Sequence, residues 1–124
     1  MKAVKVGICG LGTVGSGTFN VLTGNAQEIT RRAGREIIIQ QVGSRRDNPA
    51  ADTSNTDVTR DIFDVATNPE IDIVVELIGG YDVAKKLVLL AIENGKHVVT
   101  ANKALIAEHG TEIFAAAEAK GVSV

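Results

Sequence analysis

The stretch VKVGICGLGTVGSGTF, residues 4–19, decides the fold that we expect for this chain. It begins with an apolar run typical of a buried β-strand and ends in a helical pattern. Gly10, Gly12 and Gly15 stand between the two in the pattern G-x-G-x-x-G. The first glycine permits a tight turn, the second lets a pyrophosphate approach the backbone, and the third lets the helix pack close to the strand. The stretch predicts a dinucleotide-binding turn, with a glycine-rich turn that binds nothing as the alternative.

Short apolar runs alternate with helical patterns along the rest of the chain, which is typical of an α/β protein with a parallel sheet covered by helices. We predict strands at Val4–Cys9 and Ile37–Gly43, and further strands in IDIVVELIGG (71–80), in KHVVTA (96–101) and from residue 122 onward. Gly7 predicts close packing against the first strand. The expected architecture is a Rossmann-type doubly wound sheet in three layers, α/β/α, which forms one dinucleotide-binding domain over residues 1–124. Because the chain ends inside a predicted strand, we expect a fragment of a longer protein.

Helical patterns lie between these strands. We predict a long helix over residues 14–32, a short one over 62–66, and a last helix over 102–121 that breaks at His109-Gly110. A further helix, which Gly95 should end, carries an apolar stripe made of Val83, Leu87, Leu90 and Ala91.

The composition is typical of a folded globular protein. The chain has 124 residues, 44% of them hydrophobic, and a formal net charge of -2. This charge argues against a general attraction to nucleic acid or to acidic membranes, and no apolar run approaches the roughly 18 residues of a membrane span. The sequence begins without a signal-peptide pattern, so we expect a cytoplasmic protein. The single cysteine, Cys9, is predicted to be a small buried core residue.

The residues after the second predicted strand favour NADP as the dinucleotide. An NAD site usually carries an acidic residue at this end of the strand, where it binds the ribose hydroxyls. Glu36 lies at the other end, and the expected end carries Arg45 and Arg46. An arginine can hold a 2′-phosphate with two hydrogen bonds, and Arg45 is the nearer to the strand. The alternative is a pair of solvated arginines that begin a polar surface loop over residues 45–57, with NAD as the second choice of cofactor.

Three stretches together resemble the amino-terminal part of homoserine dehydrogenases. They are GLGTVG (10–15), VVELIGG (74–80) and GKHVVTANKALIA (95–107), of which TANKALIA is the most diagnostic. The resemblance spans nearly the whole chain in the right order. It implies an NAD(P)-dependent oxidoreductase that interconverts aspartate 4-semialdehyde and homoserine, on the route to threonine and methionine. It also implies that a substrate and dimerisation domain follows this one, and hence a homodimer.

The resemblance also implies roles for individual residues. Leu11, Thr13 and Val14 would line the cofactor, the first two near the pyrophosphate, and Arg45 would hold the 2′-phosphate. The nicotinamide would lie near Gly79, Thr100 and Lys103, and Lys103 would also face the substrate carbonyl. The family places its remaining substrate-binding and proton-transfer residues in the following domain. The 124-residue chain by itself is therefore expected to be inactive.

Lys103 also stands out on physical grounds. Ligands of a doubly wound sheet bind at the carboxyl ends of the strands, and LIGG (77–80) and TANK (100–103) both fall there. A lysine at that place can polarise an aldehyde oxygen and donate a proton as hydride arrives. A cation in a first helical turn opposes the helix dipole, so an ordinary surface lysine is the less favoured interpretation. Asn102 is first of all a good N-cap for the helix that follows.

Glu76 interrupts an apolar strand, where an unpaired carboxylate is costly to bury. It either finds a partner within the protein or reaches the crevice as a ligand, and the sequence leaves both possibilities open. His97 and His109 have no metal-ligating residues at a suitable spacing, so we expect no metal site.

Two other functions remain open. Dehydrogenases of the glucose–fructose oxidoreductase type carry a similar strand followed by Glu-Lys-Pro, but here Asn102 and Ala104 flank the lysine. A non-catalytic Rossmann module that senses a nucleotide, as in potassium-uptake regulators, needs no lysine at the nicotinamide end. Lys103 therefore distinguishes an enzyme from such a module.

Overall fold

Parallel strands form the centre of the molecule. The computed structural model describes residues 2–124, and within them the strands are β1 (Val4–Cys9), β2 (Ile37–Gly43), β3 (Asp57–Thr59), β4 (Ile73–Glu76) and β5 (His97–Thr100). Their spatial order is β3-β2-β1-β4-β5, and every neighbouring pair is parallel. Because the order runs outward in both directions from β1, the sheet is doubly wound, as predicted.

Helices cover both faces of this sheet. They are α1 (Thr13–Gly24), α2 (Ala26–Ala33), α3 (Ile62–Thr67), α4 (Asp82–Glu93) and α5 (Lys103–Lys120). Successive side chains of β1 enter two different cores, since Ile8 belongs to the core that contains Phe19 of α1 and Cys9 belongs to the core that contains Leu87 of α4. The predicted three-layer architecture and the predicted burial of Cys9 are both confirmed.

The carboxyl ends of the inner strands lie level with one another. Cys9 at the end of β1 pairs with Gly43 of β2 on one side and with Glu76 of β4 on the other. Glu76 in turn pairs with Thr100 of β5. The segments that follow these strands therefore meet along one edge of the sheet, which is the edge where the sequence predicts the ligand contacts.

Gly7, in the middle of β1, has no side chain, and the side chains of Val65 and Ile71 pack directly against the strand there. A Cβ added at this position would overlap the side chains of Val65 and Ile71, which are both buried. The predicted close packing at Gly7 is confirmed.

The prediction of one continuous helix over residues 14–32 is wrong, because α1 and α2 are separate helices. They meet at Gly24 and Asn25, and the main-chain N–H and the side-chain amide of Asn25 both donate to the Val21 carbonyl, at 3.1 and 3.2 Å. Glycine disfavours a helix, and asparagine offers the backbone competing hydrogen bonds. Together they end α1 within a pattern that otherwise reads as one helix.

The break predicted at His109-Gly110 is also wrong, since α5 is continuous. A single glycine costs a helix only about 1 kcal/mol, and Gly110 is buried beside Ile106 and Phe114. The strand predicted from residue 122 is not formed in residues 122–124. Ser123 nevertheless accepts a hydrogen bond from the Val98 N–H of β5 at 2.9 Å.

Two smaller elements differ from prediction. β3 lies at the end of the stretch predicted to be a loop, because three residues with one apolar side chain, Val58, carry too little pattern to detect. The apolar stripe on α4 is rotated from the predicted one, and Val83 is 43% exposed. The face that α4 buries consists of Ala84, Leu87, Val88, Ala91 and Ile92.

Candidate functional site

The three glycines of the opening pattern form a tight turn between β1 and α1. Gly10 has a φ of 101°, and a Cβ on it would lie 2.7 Å from the Leu77 carbonyl oxygen. A Cβ on Gly15 would collide with the carbonyl oxygen of Gly10. At Gly12, by contrast, nothing in residues 2–124 lies within 4 Å of the place that a Cβ would take. Two glycines thus close the turn, and the third leaves its outer side open.

α1 begins directly after this turn, with an N-terminus suited to an anion. Gly12 is the N-cap, and within the described residues no side chain caps this helix or places a carboxylate in its first turn. Gly12, Thr13 and Val14 are exposed. Because the N-terminal amides of a helix carry a partial positive charge and lack partners in the helix, they attract phosphate. The turn and the start of α1 therefore fit the pyrophosphate of a dinucleotide.

A cleft of about 650 Å³ opens beside the turn, at the carboxyl ends of β1, β2 and β4. Four predicted cofactor-binding residues line it: Gly10, Gly12, Arg45 and Gly79. The other predicted site residues lie outside its lining, namely Leu11, Thr13, Val14, Gly15, Arg46, Thr100 and Lys103. Clefts of this size at the carboxyl edge of an α/β sheet are typical small-ligand sites.

The segment after β2 holds Arg45 beside this cleft. Ser44 is buried, its N–H donates to the Thr59 carbonyl at 2.9 Å, and its hydroxyl donates to the Arg46 carbonyl at 2.6 Å. The side chains of Arg45 and Arg46 are both exposed. The backbone that carries the two arginines is thus fixed. Of this pair, Arg45 lines the cleft and Arg46 does not.

Arg60 is a further cation at the cleft, and the sequence prediction missed it. It directly follows β3 and lines the cleft. Its guanidinium donates to the Ser44 carbonyl at 3.2 Å and pairs with Asp47 at 2.8 Å. The rule that ligands gather at strand ends points to Arg60 once β3 is recognised.

The loop after Arg46 docks onto the glycine turn, although its polar sequence predicted only a surface loop. Asn48 donates from Nδ2 to the Leu11 carbonyl at 2.8 Å, and Asn20 of α1 donates to the Ala50 carbonyl at 2.8 Å. Ala51 is buried in the same core as the side chain of Leu11. Leu11 therefore presents only its main chain to the outer side of the turn.

The segments after β4 and β5 are joined by one asparagine. Asn102 is the N-cap of α5, as predicted, because its Oδ1 accepts from the Leu105 N–H at 3.0 Å. Its Nδ2 donates to the Gly80 carbonyl at 2.5 Å. Gly79 has a φ of 73° and Gly80 a φ of 77°, which glycine adopts most readily. Lys103, the first residue of α5, is exposed at this edge and accessible to a ligand.

Glu76 has its partners within the protein. Its side chain is fully buried. Oε2 accepts from the main-chain N–H groups of Ile78 and Gly79, at 2.9 and 3.3 Å, and Oε1 accepts from the Thr100 hydroxyl at 2.5 Å. Of the two possibilities that the sequence leaves open, the structure supports the internal partner.

Cys9 lies next to Glu76 in the sheet and is fully buried. Burial, with a smaller contribution from the charge of Glu76, raises the pKa of the Cys9 thiol to about 12. At neutral pH the side chain is therefore a thiol with no nucleophilic character.

Other kinds of site were also sought. Within residues 2–124 no group of three or more His, Cys, Asp and Glu side chains is placed to hold a metal ion. His97 accepts a hydrogen bond at Nδ1 from the Ser123 N–H at 3.0 Å. In the same part of the chain, none of the helices has the length and apolar character to span a membrane.

Known sequences and structures point to one family. The family model "Homoserine dehydrogenase, NAD binding domain" matches residues 10–124. The homoserine dehydrogenase of Pseudomonas aeruginosa is 73% identical over 124 residues, which is 100% of this chain, and that of Methylobacillus glycogenes is 61% identical over 109 residues, which is 86% of it. The chain spans 29% and 26% of the lengths of these two relatives.

The solved structures agree with the sequences. The crystal structure of a homoserine dehydrogenase from Thiobacillus denitrificans matches 98% of this chain and 28% of its own, with a TM-score of 0.90 and 59% identity. Sequence, fold and the geometry of the glycine turn are thus consistent with one another. The chain belongs to the family of homoserine dehydrogenase NAD-binding domains.

Proposed function

We propose that this chain is the cofactor-binding domain of a homoserine dehydrogenase, an enzyme that transfers a hydride between a nicotinamide cofactor and the aspartate 4-semialdehyde/homoserine pair. One observation carries the proposal. Lys103 stands at the same sheet edge as the glycine turn, and the Asn102–Gly80 hydrogen bond ties its segment to the segment after β4. A module that only senses nucleotide has no use for a lysine at that place.

The cofactor pose that we propose follows the carboxyl edge of the sheet. The pyrophosphate would lie on the outer side of Gly12 and on the N-terminal amides of α1, at Thr13 and Val14. Gly10, Leu11 and Gly15 shape that turn through their backbone. The nicotinamide end would then reach Gly79 and Thr100. When bound, the cofactor supplies or accepts the hydride at its nicotinamide ring.

Lys103 is the residue that we propose as catalytic. Its exposed ammonium group can lie beside the carbonyl oxygen of the substrate, where negative charge develops as hydride arrives. A cation at that position stabilises the developing charge and can donate the proton that completes the alcohol. Because the ground-state aldehyde lacks this charge and the transition state has it, the interaction acts on the rate more than on ground-state binding.

The remaining parts of the enzyme lie outside the 124 residues. The chain spans 29% of the length of its Pseudomonas aeruginosa relative, so we assign the other substrate-binding groups and a homodimer contact to the rest of the full-length protein. In that form the enzyme would provide homoserine for the synthesis of threonine and methionine.

The activity is tested with the full-length enzyme, by following homoserine-dependent reduction of NADP spectroscopically. We expect turnover with homoserine and none with a sugar substrate of glucose–fructose oxidoreductases. Tight nucleotide binding without turnover of homoserine would support the nucleotide-sensing module instead.

The cofactor preference is tested by calorimetric titration of the chain with NADPH and with NADH. Arg45 lines the cleft and Arg46 follows it, so we propose that Arg45 binds the 2′-phosphate, with Arg46 beside it. A hydrogen bond to a charged group contributes about 1.5–3 kcal/mol, which corresponds to a preference for NADPH of roughly 10- to 100-fold. Arg45→Ala should remove most of that preference.

Arg35→Ala is the matched control for this titration, because it removes an equal charge at the opposite, amino-terminal edge of the sheet. It should leave the affinities for NADPH and NADH unchanged. Equal affinities for the two cofactors in the parent chain would disprove the assignment of Arg45.

A further inference from the structure

The function proposed above leaves one buried ionisable group at the site without a role. Glu76 is fully buried at the end of β4, in a strand whose neighbouring side chains are apolar. Burial of a carboxylate in such surroundings is costly unless hydrogen bonds compensate for the lost water. If position 76 only filled the core, valine or isoleucine would avoid the cost of burying a carboxylate. We therefore ask what the contacts of Glu76 do.

The two oxygens of Glu76 hold two different segments of the site. Oε2 accepts from the N–H groups of Ile78 and Gly79, at 2.9 and 3.3 Å, and so fixes the segment after β4. Oε1 accepts from the hydroxyl of Thr100 at 2.5 Å, and so fixes the end of β5. One side chain therefore connects the two segments that border the proposed nicotinamide site.

The connection continues to the residue before Lys103. The Thr100 hydroxyl, which donates to Glu76, accepts from the Asn102 N–H at 3.0 Å. Asn102 then donates from its side chain to the Gly80 carbonyl at 2.5 Å. These hydrogen bonds run from Glu76 through Thr100 and Asn102 to the Gly80 carbonyl. The covalent backbone from Gly80 to Gly79 and the hydrogen bond from the Gly79 N–H to Glu76 close the ring.

The chemistry of this ring requires an acceptor at position 76. Three donors, two N–H groups and one hydroxyl, converge on the side chain. A carboxylate offers two charged acceptor oxygens, whereas glutamine offers one neutral oxygen and an NH₂ group, which can meet the Thr100 hydroxyl only by donating to it, so that the short hydrogen bond from the hydroxyl to a carboxylate is lost. Glutamine is nearly the same size, so Glu76→Gln replaces the charge-assisted hydrogen bonds of the ring with weaker neutral ones without opening a cavity.

We propose that Glu76 is a positioning residue that locks the segments 77–81 and 101–103 together and thereby sets the position of Lys103 at the reacting carbonyl. This inference rests on the proposed dehydrogenase function and adds a group that acts through Lys103 rather than on the substrate. A catalytic group that is displaced by about 1 Å loses on the order of 100-fold in rate. The ring is thus part of the machinery even though it touches no substrate.

The test compares the full-length enzyme with its Glu76→Gln variant by two independent measurements. Hydrogen exchange followed by mass spectrometry should be faster in the variant in the peptides that contain residues 77–81 and 101–106. Turnover at saturating homoserine should fall about 10- to 100-fold, with a much smaller change in the dissociation constant of NADPH. Unchanged exchange in these peptides would overturn the proposal whatever the activity shows.

The Lys103→Ala background separates positioning from a general structural role. If Glu76 acts through Lys103, Glu76→Gln should cause little further loss of turnover in an enzyme that already lacks the lysine. Losses that multiply in the double variant would show that Glu76 acts by another route, and the proposal would be wrong.

Asn102→Ser breaks the same ring at a second position, because serine can still cap α5 but is too short to donate to the Gly80 carbonyl. It should accelerate exchange in residues 77–81 and lower turnover in the same direction.

Ile113→Val is the matched control for loss of stability. Ile113 is fully buried in α5 and lies away from the ring, so this variant should unfold at a lower temperature and keep its turnover. An enzyme that turns over no homoserine would disprove the proposed function. The exchange measurement would then still decide whether Glu76 couples the two segments, so the two failures are distinguishable.

Discussion

A lysine in the first turn of a helix works against the helix dipole, and Lys103 occupies that place in α5. The helix does not need the residue, since Asn102 already caps it and Leu105 anchors its first turn in the core. Its exposed ammonium group therefore has a chemical explanation in the carbonyl that the proposed reaction brings to this edge.

Lys103→Ala in the full-length enzyme should lower turnover about 100- to 1,000-fold, the usual effect of removing one donor that stabilises a developing oxyanion. The affinity for NADPH should change little, because the lysine acts mainly in the transition state. Turnover and NADPH affinity are measured separately, by steady-state kinetics and by calorimetry.

Lys86→Ala is the control for this variant, since Lys86 is an exposed lysine on the surface of α4. It should leave both quantities unchanged. If Lys103→Ala weakened NADPH binding strongly and kept its turnover at saturation, the lysine would be a cofactor clamp and the catalytic role would be lost.

The Cys9 thiol gives a pH dependence that can be predicted in sign. Its pKa is raised to about 12 in the folded protein by burial and by Glu76, from 9.0. The folded state therefore favours the protonated thiol, so this contribution to stability is complete below about pH 9 and is lost as the pH rises toward about 12. The free energy of unfolding of the parent, relative to Cys9→Ala, should fall by about 1 kcal/mol between about pH 8 and about pH 10.

Urea unfolding of the parent and of Cys9→Ala at several pH values measures this difference. The variant controls for all other groups that titrate in the same range, lysines above all. A constant difference between the two proteins across the range would mean that the thiol of Cys9 reaches water in the folded state.

At the scale of elements, the sequence predicts well those features that depend on residues close together along the chain. β1, β2 and the glycine turn each lie within one short stretch, and Asn102 caps a helix that begins at the next residue. The contacts that sequence missed join distant positions. Thr100 is 24 residues from Glu76, and Asn48 is 37 residues from Leu11. No local pattern reveals that the Thr100 side chain bonds to that of Glu76, or that the Asn48 side chain bonds to the main-chain carbonyl of Leu11.

Two glycines show how the same substitution has opposite effects in different elements. Gly15→Ala should destabilise the chain, because the new methyl group would collide with the Gly10 carbonyl oxygen. Gly110→Ala should stabilise it by about 0.5–1 kcal/mol, since alanine favours a helix and the methyl group would lie 3.4 Å from Ile106 and 3.5 Å from Phe114, at ordinary contact distance.

Chemical denaturation of both variants measures these changes in the free energy of unfolding. Gly110→Ala should leave NADPH affinity unaltered, because its position in α5 is distant from the glycine turn. Destabilisation by Gly110→Ala would mean that the space beside Ile106 and Phe114 is too small for the added methyl group, and the prediction would be wrong.

At the scale of the whole molecule, we assign to this chain a cofactor-binding edge of the sheet and one candidate catalytic group, Lys103. Orientation of the substrate against the nicotinamide supplies a large part of the rate of a hydride transfer. The chain spans 29% of the length of the homoserine dehydrogenase of Pseudomonas aeruginosa and 26% of that of Methylobacillus glycogenes. We propose that the groups that hold the substrate belong to the rest of the full-length enzyme.

The purified 124-residue chain should therefore bind NADPH and show no oxidation of homoserine above a buffer control. The measurement is made at protein concentrations well above those used for the full-length enzyme. Clear turnover by the isolated chain would mean that its own residues complete the active site, and the assignment of the remaining groups would have to be revised.

The central place of β1 in the sheet has a consequence for synthesis on the ribosome. β1 is translated before the other strands of this sheet. It can pair with β2 on one side as soon as residue 43 has emerged, but its other neighbour, β4, begins only at residue 73. During that interval the nascent chain presents an apolar strand with one open edge, the kind of surface that recruits other chains. Passage of residues 73–76 out of the exit tunnel is thus the event that closes this edge, and pauses in translation before it would expose the half-built sheet to aggregation.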